Sequence, residues 1–270
     1  MLKINPGSHL ARYLEERNGL LNSITDLLKN DPIVRTACLF GSLGRGDGDA
    51  LSDIDLWVVV DDDQIHNIIA GSIGYAFKIG QPILTLEAPQ NAPEGGAYLM
   101  TCFDAPVAPH IVDWYWQPTS LAFLPDEIHV LFDRVGLIHE QRSIRFSGQL
   151  PPKEILDRPM HFISYFWMML MITAKYACRY PKEEKMELLP YLVEALEQAG
   201  RFIRQERDPF LGNLPDYRCP EVKVQLLYRL ADLMCKLMER IAAQGEEVPT
   251  PIVSGAYRYL KLVELTIKDW

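Results

Sequence analysis

The sequence predicts an α+β fold, in which a region that mixes strands with helices is followed by a purely helical region. Before about residue 150, short apolar runs of strand length alternate with helical patterns. Beyond that point nearly every segment shows helical spacing. The change falls in the stretch GQLPPK, residues 148–153, where glycine and proline interrupt both patterns. We therefore predict two domains, 1–150 and 151–270.

The first domain is predicted to open with a helix over residues 10–29, where apolar residues recur at helical spacing until Asp31-Pro32 ends the pattern. We expect the acidic run at 61–63 to cap a second helix that reaches residue 70. A proline-containing connection at 104–109 predicts a hairpin between the two strands that flank it. Strands are predicted at 34–40, 54–60, 82–86, 98–103, 110–116 and 130–132.

Four helices are predicted in the second domain, at 159–180, 183–205, 221–243 and 252–267, and together they suggest a bundle. The run 160–178 is nearly long enough to cross a membrane. It contains polar residues that a membrane span mostly lacks, namely His161, Ser164, Thr173 and Lys175. We therefore predict a buried helix rather than a membrane span.

Composition narrows the class of protein. The net charge of −9 argues against a protein that tracks duplex nucleic acid, because such a protein needs a basic face. The five cysteines are odd in number and lack a zinc-site spacing, which favours free thiols in a reducing compartment. No signal peptide is visible. A cytoplasmic protein with no membrane partner and no nucleic-acid partner is expected, and a homodimer is compatible with the sequence.

The stretch LFGSLGRGDGDALSDIDLW, residues 39–57, carries the chemistry. Asp53 and Asp55 open an apolar strand, and the strand period of two places both on one face. Neighbouring like charges repel unless a cation lies between them, and hard oxygen ligands suit Mg²⁺. The pattern therefore predicts a metal site at the start of this strand.

The residues before the aspartates suit an anion. Gly41 and the glycines that follow let backbone N–H groups approach a ligand closely, and Ser42 adds a hydroxyl. Arg45 supplies a guanidinium that can fork onto phosphate. An anion site beside a metal site suits a metal-bound nucleoside triphosphate. The spacing is neither that of a Walker loop nor that of a dinucleotide fingerprint.

This motif resembles the nucleotidyltransferase superfamily typified by DNA polymerase beta, in which Gly-Ser is followed after about ten residues by Asp-x-Asp. Ser52 and the Arg45-Gly46 pair are similar to the antibiotic-modifying branch. The resemblance implies a catalytic domain with a mixed sheet flanked by helices, followed by a helical domain that binds substrate or nucleotide. An ordinary acidic turn between two strands is the alternative.

The resemblance also implies a third carboxylate on a later strand, and Asp113 in HIVDWYW is the best candidate. With Asp53 and Asp55 it would hold two Mg²⁺ ions and could accept the proton of the acceptor hydroxyl. A strand-end aspartate bound to a loop is the alternative. Glu87 is a weaker candidate for the base. Tyr115 shares the face of Asp113 and could line the acceptor pocket.

In the second domain, the run FWMMLMITAKYACR, residues 166–179, looks like a helix of aminoglycoside and lincosamide nucleotidyltransferases. The resemblance implies that Lys175 binds triphosphate oxygens and lies across a cleft from Ser42. The alternative is a lysine whose stem packs on the core. Arg179 could assist or could act as a helix-end cation.

Together these features predict an enzyme that transfers a nucleoside monophosphate, AMP from ATP above all, to a hydroxyl of a small molecule. The resemblance favours a lincosamide or an aminoglycoside antibiotic, and an acidic cleft suits a polycationic acceptor. The alternatives are a nucleotidyltransferase that modifies a protein or another metabolite, as antitoxins of this superfamily do, and a non-catalytic nucleotide-binding protein.

Overall fold

A computed structural model of the chain describes residues 8–141, 143–183 and 186–268. Its internal contacts divide the chain into two compact units. The sheet unit holds the N-terminal part up to Asp104 together with His110–Pro151. The helical unit holds the chain from Pro152 onward together with the short connection Ala105–Pro109.

The sheet unit is built on a six-stranded mixed sheet with the strand order β3-β4-β5-β2-β1-β6. Strands β2 and β5 are parallel, and every other neighbouring pair is antiparallel. Two short 3₁₀ turns, Pro89–Asn91 and Thr119–Leu121, follow β3 and β5. The strands are β1 Val34–Leu39, β2 Ile54–Val60, β3 Leu84–Glu87, β4 Ala97–Phe103, β5 His110–Pro118 and β6 His129–Asp133, and the helices are α1 His9–Asn30, α2 Gly41–Arg45 and α3 Ile65–Ala76.

The main core of this unit lies between one face of the sheet and the apolar faces of α1 and α3. Leu56, Val58 and Val60 alternate along β2 and point into this core, as the strand period requires. Trp114 and Trp116 of β5 lie in the same core, where both rings pack against Tyr75 of α3. The opposite face of the sheet is therefore the one that carries Asp55 and Asp113.

Most helices of the helical unit begin with proline. Proline suits the first turn because the N–H it lacks would have no partner within the helix there. Helix α5 packs against α6, α8 and α9, so it forms the centre of the bundle. No helix in the described ranges is long and apolar enough to cross a membrane. The helices are α4 Lys153–Leu156, α5 Pro159–Arg179, α6 Leu189–Phe202, α7 Pro209–Gly212, α8 Pro220–Ala242 and α9 Pro251–Lys268.

The predicted α+β fold is confirmed, and each predicted strand is present within a few residues of its expected bounds. The helix expected from residue 183 begins only at Leu189. Just after α5, the carbonyl groups of Tyr180, Pro181 and Glu183 all accept hydrogen bonds from Nζ of Lys223 on α8. That arrangement satisfies carbonyls beyond the end of α5.

The expectation that the acidic run at 61–63 caps α3 is wrong. Gln64 occupies the N-cap position and makes no side-chain capping hydrogen bond. Asp61 instead forms an ion pair with Arg35, and Asp62 accepts a hydrogen bond from the backbone N–H of Ser120. These tertiary partners compete successfully with the helix end for the two carboxylates.

Candidate active site

The turn between β1 and β2 places a glycine directly against a carboxylate. Phe40 donates its backbone N–H to the carbonyl oxygen of Asp55 at 2.9 Å, which closes the turn. Gly41 follows with φ of +61°, a conformation that favours glycine, and a Cβ at this position would collide with Oδ2 of Asp55. The first turn of α2 and the carboxylate of Asp55 are therefore immediate neighbours.

Two of the predicted carboxylates face one another across adjacent strands. In the parallel register of β2 and β5, Asp55 pairs directly with Asp113, so their side chains project from the same face. Asp113 is only 5% exposed, and the hydroxyl of Tyr98 on β4 donates a hydrogen bond to its Oδ1. Asp113 thus lies inside the strand, with a side-chain partner on the next strand, and not at a strand end.

Asp53 lies one residue before β2, and its charge acts on two buried tyrosines. Burial raises the pKa of Tyr115 above its ordinary value, and the charges of Asp113, Asp55 and Asp53 raise that pKa further. Tyr13 of α1 also has a raised pKa, caused first by burial and then by Asp53. The three aspartates therefore act together on the ring at position 115.

The donor set suits a hard divalent cation, because it consists of carboxylate oxygens on a rigid sheet. Asp55 and Asp113 are the pair that could share an ion, and Gly41 places no Cβ against the carboxylate of Asp55. Within the described ranges, no group of three His, Cys, Asp or Glu side chains is arranged to hold a metal. The observed donor set is therefore the pair Asp55 and Asp113, and metal binding by Asp53 stays a prediction.

The residues predicted to bind phosphate form one hydrogen-bonded turn. Ser42 donates its hydroxyl to Oγ of Ser52 at 3.0 Å, and the backbone N–H of Asp49 donates to the same oxygen at 2.9 Å. Arg45 lies at the exposed end of α2, where its Nε is 3.2 Å from Oδ2 of Asp47. An exposed ion pair of this kind contributes little stability, so Arg45 can exchange Asp47 for another anion at low cost.

A buried arginine that the sequence analysis missed anchors this turn. Arg17 of α1 is 6% exposed, and its Nη1 donates to the carbonyl oxygens of Asp49 and Ser52, at 2.5 and 3.2 Å. The signal was present in the helical spacing, because Arg17 lies seven residues after Leu10 and seven before Ile24, on the buried face of α1. An arginine on an otherwise apolar face indicates a buried polar partner.

An aromatic cluster borders the carboxylates. The ring of Tyr115 lies 5.9 Å from Phe40, 6.0 Å from Trp57, 5.0 Å from Tyr98 and 6.2 Å from Phe146. The predicted side of Tyr115 is correct, since it shares the face of Asp113 while Trp114 and Trp116 point into the opposite core. Flat apolar rings beside acidic oxygens can stack with a base or with a sugar face.

The remaining candidates lie apart from this turn along the chain. Glu87 is exposed at the end of β3, as expected for a solvated strand end. Lys175 belongs to α5 of the helical unit, where it is 5% exposed and its Nζ is 5.5 Å from the ring of Tyr176. The guanidinium of Arg179 is 5.9 Å from the same ring. The role of Lys175 in triphosphate binding stays a prediction.

No curated protein sequence matches this chain significantly. Among solved structures, a similar chain is the STING-associated CdnE c-di-GMP synthase from Capnocytophaga granulosa. The two are 9% identical, the match covers 96% of this chain and 81% of that chain, and the TM-score is 0.28. A TM-score this low supports no conclusion about fold or function.

A family model provides the informative comparison. Residues 22–80 match the model described as polymerase beta, nucleotidyltransferase. The matched segment is about a fifth of the chain, and it runs from within α1 through α3. It contains the glycine-serine turn and both aspartates of the Asp-x-Asp pair, whereas Asp113 lies beyond it. Over this segment the chain is similar to the polymerase beta nucleotidyltransferases, and the similar segment includes the turn between β1 and β2.

Proposed function

We propose that this protein is a magnesium-dependent nucleotidyltransferase that moves AMP from ATP to a hydroxyl of a small molecule, a lincosamide or an aminoglycoside antibiotic. The observation that carries the proposal is the direct pairing of Asp55 with Asp113 in the register of β2 and β5. Asp55 of that pair lies against Gly41, and both residues belong to the segment that matches nucleotidyltransferases.

In the proposed reaction, the acceptor hydroxyl oxygen attacks the α-phosphorus of the triphosphate. A new phosphorus–oxygen bond forms, the bond to the bridging oxygen breaks, and pyrophosphate leaves with the electron pair of that bond. Asp113 takes the hydroxyl proton. Mg²⁺, held by Asp53, Asp55 and Asp113, would neutralise the charge on the phosphate oxygens and bring the reactants into line.

The glycine turn supplies the contacts to the triphosphate. In this proposal, backbone N–H groups at the start of the turn would face the phosphate oxygens. Gly41 permits the close approach, and Ser42 adds a hydroxyl. Arg45 can transfer its guanidinium from the exposed Asp47 carboxylate to phosphate, which binds arginine more strongly when it offers two oxygens.

The acceptor is proposed from the character of the face around the carboxylates. Acidic oxygens attract a cationic acceptor, and the rings of Phe40 and Tyr115 offer flat surfaces for a sugar or a base. Aminoglycosides are polycationic and lincosamides are less charged and more apolar, so both classes suit part of this surface.

The test is transfer of label from ATP in the presence of Mg²⁺ to a panel of both antibiotic classes. Asp55→Asn should lower turnover by more than about 100-fold, since even residues that only support metal ligands cost 10–100-fold when mutated. The fold should persist, because a repelling charge is removed. Asp63→Asn, in the exposed turn between β2 and α3, is the matched control and should keep full turnover.

Normal turnover in Asp55→Asn would refute the assignment of the carboxylates, and an unfolded variant would mean that Asp55 is structural. If label appears on protein and on no antibiotic, the acceptor is a protein and not a small molecule. Nucleotide that binds but is never transferred would indicate a non-catalytic protein.

The proposed role of Lys175 needs its own variant. Lys175→Met keeps most of the buried stem of the side chain and removes the charge that would bind triphosphate oxygens. We expect turnover to fall by about 10-fold or more while the melting temperature changes little. Lys236→Met, on the exposed side of α8 in the same unit, should leave both unchanged. If Lys175→Met keeps normal turnover, the lysine only packs on the core.

A further inference from the structure

The segment between β3 and β4, residues 88–96, contains prolines and paired glycines that the sequence motifs do not explain. In the structure its 3₁₀ turn, Pro89–Asn91, folds over the end of β4. Ala88 and Ala92 form a small buried cluster with Tyr98, and Met100 and Tyr115 pack against that cluster. This turn therefore covers the side chains next to Asp113.

Two polar side chains connect the turn to the carboxylate. Tyr98 is 5% exposed, and its hydroxyl donates to Oδ1 of Asp113. Asn91 lies on the turn that packs over this tyrosine, and the pKa of Tyr98, which burial raises, is lowered by its interaction with the Asn91 side chain. In the β4–β5 register Tyr98 pairs with Tyr115 and Met100 pairs with Asp113, so Tyr98 reaches the carboxylate diagonally on one face.

The turn that carries Asn91 is itself braced by a distant stretch of chain. The backbone N–H of Ser147 donates to the carbonyl of Ala92 at 2.8 Å, and its hydroxyl donates to the carbonyl of Pro89 at 2.5 Å. The N–H groups of Glu94 and Gly148 make further bonds of 2.9 and 3.1 Å, to the carbonyls of Arg145 and Gln90. The strap 145–148 thus fixes the turn on both sides.

We propose that Asn91 and Tyr98 are positioning residues that hold the Asp113 carboxylate in the orientation needed for metal binding and proton transfer. The proposal rests on the proposed nucleotidyl transfer. A carboxylate on a flexible side chain can rotate about two bonds, and a hydrogen bond to one oxygen restricts that rotation. Outer partners of this kind orient ligands, and losing them costs 10–100-fold in metal affinity or activity.

A purely structural role for Tyr98 predicts something different. A tyrosine that only satisfies a buried carboxylate stabilises the fold, and its removal lowers stability without a specific effect on the metal. Tyr75 offers a matched comparison in the same unit, because it is 4% exposed and its hydroxyl lies 3.2 Å from Oδ2 of Asp31. That second tyrosine–aspartate pair lies away from Asp55 and Asp113.

The experiment compares Tyr98→Phe with Tyr75→Phe in the full chain, using Mn²⁺ binding followed by electron paramagnetic resonance and steady-state kinetics with ATP. Tyr98→Phe should weaken Mn²⁺ binding about 10–100-fold and lower kcat by a similar factor, with KM for ATP little changed. Tyr75→Phe should lower the melting temperature but leave metal binding and kcat as in the wild type. Mn²⁺ binding is read without turnover, so a structural defect and a positioning defect are separated.

If Tyr98→Phe binds Mn²⁺ and turns over like the wild type, the positioning role is refuted while the proposed function stands. If the wild type itself neither binds Mn²⁺ nor transfers nucleotide, the proposed function fails, and the role of Tyr98 fails with it. Should Tyr98→Phe not fold, Asn91→Ala on the exposed turn carries the test. It should weaken Mn²⁺ binding in the same direction by a smaller factor, and unchanged binding would overturn the proposal.

Discussion

At the scale of single residues, two glycines of the β1–β2 turn share a left-handed backbone but differ in their surroundings. Gly41 has φ of +61°, and a Cβ there would collide with the Asp55 carboxylate. Gly46 has φ of +76° at the C-cap of α2, and no atom lies within 4 Å of the position its Cβ would take. Substitutions at the two glycines therefore distinguish the effect of backbone strain from the effect of a collision with the carboxylate.

Alanine at the two positions should have different consequences. Gly46→Ala should cost about 1–2 kcal/mol, the price of a left-handed conformation for a residue with a Cβ, and should keep activity. Gly41→Ala should cost a further 1–3 kcal/mol, roughly the effect of overpacking, and should abolish nucleotidyl transfer because Asp55 must move. Urea unfolding and the transfer assay measure both effects. Equal stability losses with activity kept in both variants would contradict the placement of Gly41 against Asp55.

At the scale of elements, the loop that leads into Asp53 depends on a helix far from it in sequence. Arg17 of α1 donates to the carbonyls of Asp49 and Ser52, and Ser52 in turn accepts the hydroxyl of Ser42. Helix α1, the loop and α2 are therefore linked through hydrogen bonds at the two serines. Asp53 directly follows this loop in the chain.

Removing the guanidinium should loosen the loop. Arg17→Met keeps an unbranched stem but leaves two carbonyls without their charged donor, so unfolding free energy should fall by about 2–4 kcal/mol. Turnover should fall as well, because the loop positions Asp53. Arg12→Met, at an exposed position of the same helix, should change stability by less than about 0.5 kcal/mol. Denaturant unfolding of both variants provides the comparison, and equal small effects would mean that Arg17 does not hold the loop.

At the scale of the whole molecule, stability should depend on pH through a buried histidine at the start of β5. His110 is 3% exposed and its ring stacks on Tyr13, with centroids 4.2 Å apart. Burial, and then the charge of Arg17, lowers the pKa of His110 from 6.5 to about 3. Oε2 of Glu16 lies 3.8 Å from Nε2 and favours the charged form, but burial outweighs it.

The sign of the pH effect follows from this lowered pKa. The folded state keeps His110 neutral while the unfolded chain takes up a proton below pH 6.5, so stability present above pH 6.5 is lost as pH falls toward 3. Between pH 7.5 and pH 5 the loss from this group should be about 2 kcal/mol, at 1.36 kcal/mol per pH unit below 6.5. His110→Phe keeps the stacked ring and should lose about 2 kcal/mol less than the wild type over the same interval, measured by urea unfolding. Equal losses would show that His110 is protonated in the folded protein.

Local residue patterns are enough to predict the elements and much of the candidate site. Residue periodicity depends only on neighbours along the chain, so the strands that became β1 to β6 and the buried helix α5 were predicted within a few residues. The turn at Gly41 and the aspartates at 53 and 55 could be identified for the same reason, because their spacing is local.

Contacts between residues that are distant in the chain could not be predicted, because they depend on the packing of the folded protein. The parallel register of β2 and β5 brings Asp55 beside Asp113, 58 positions later in the chain, and the β4–β5 hairpin brings Tyr98 to the same carboxylate. The capping expectation for 61–63 failed for the matching reason, since Arg35 and Ser120 compete for those carboxylates. Strand order and register depend on how the whole sheet packs. The residue pattern within one strand therefore does not predict which strand lies beside it.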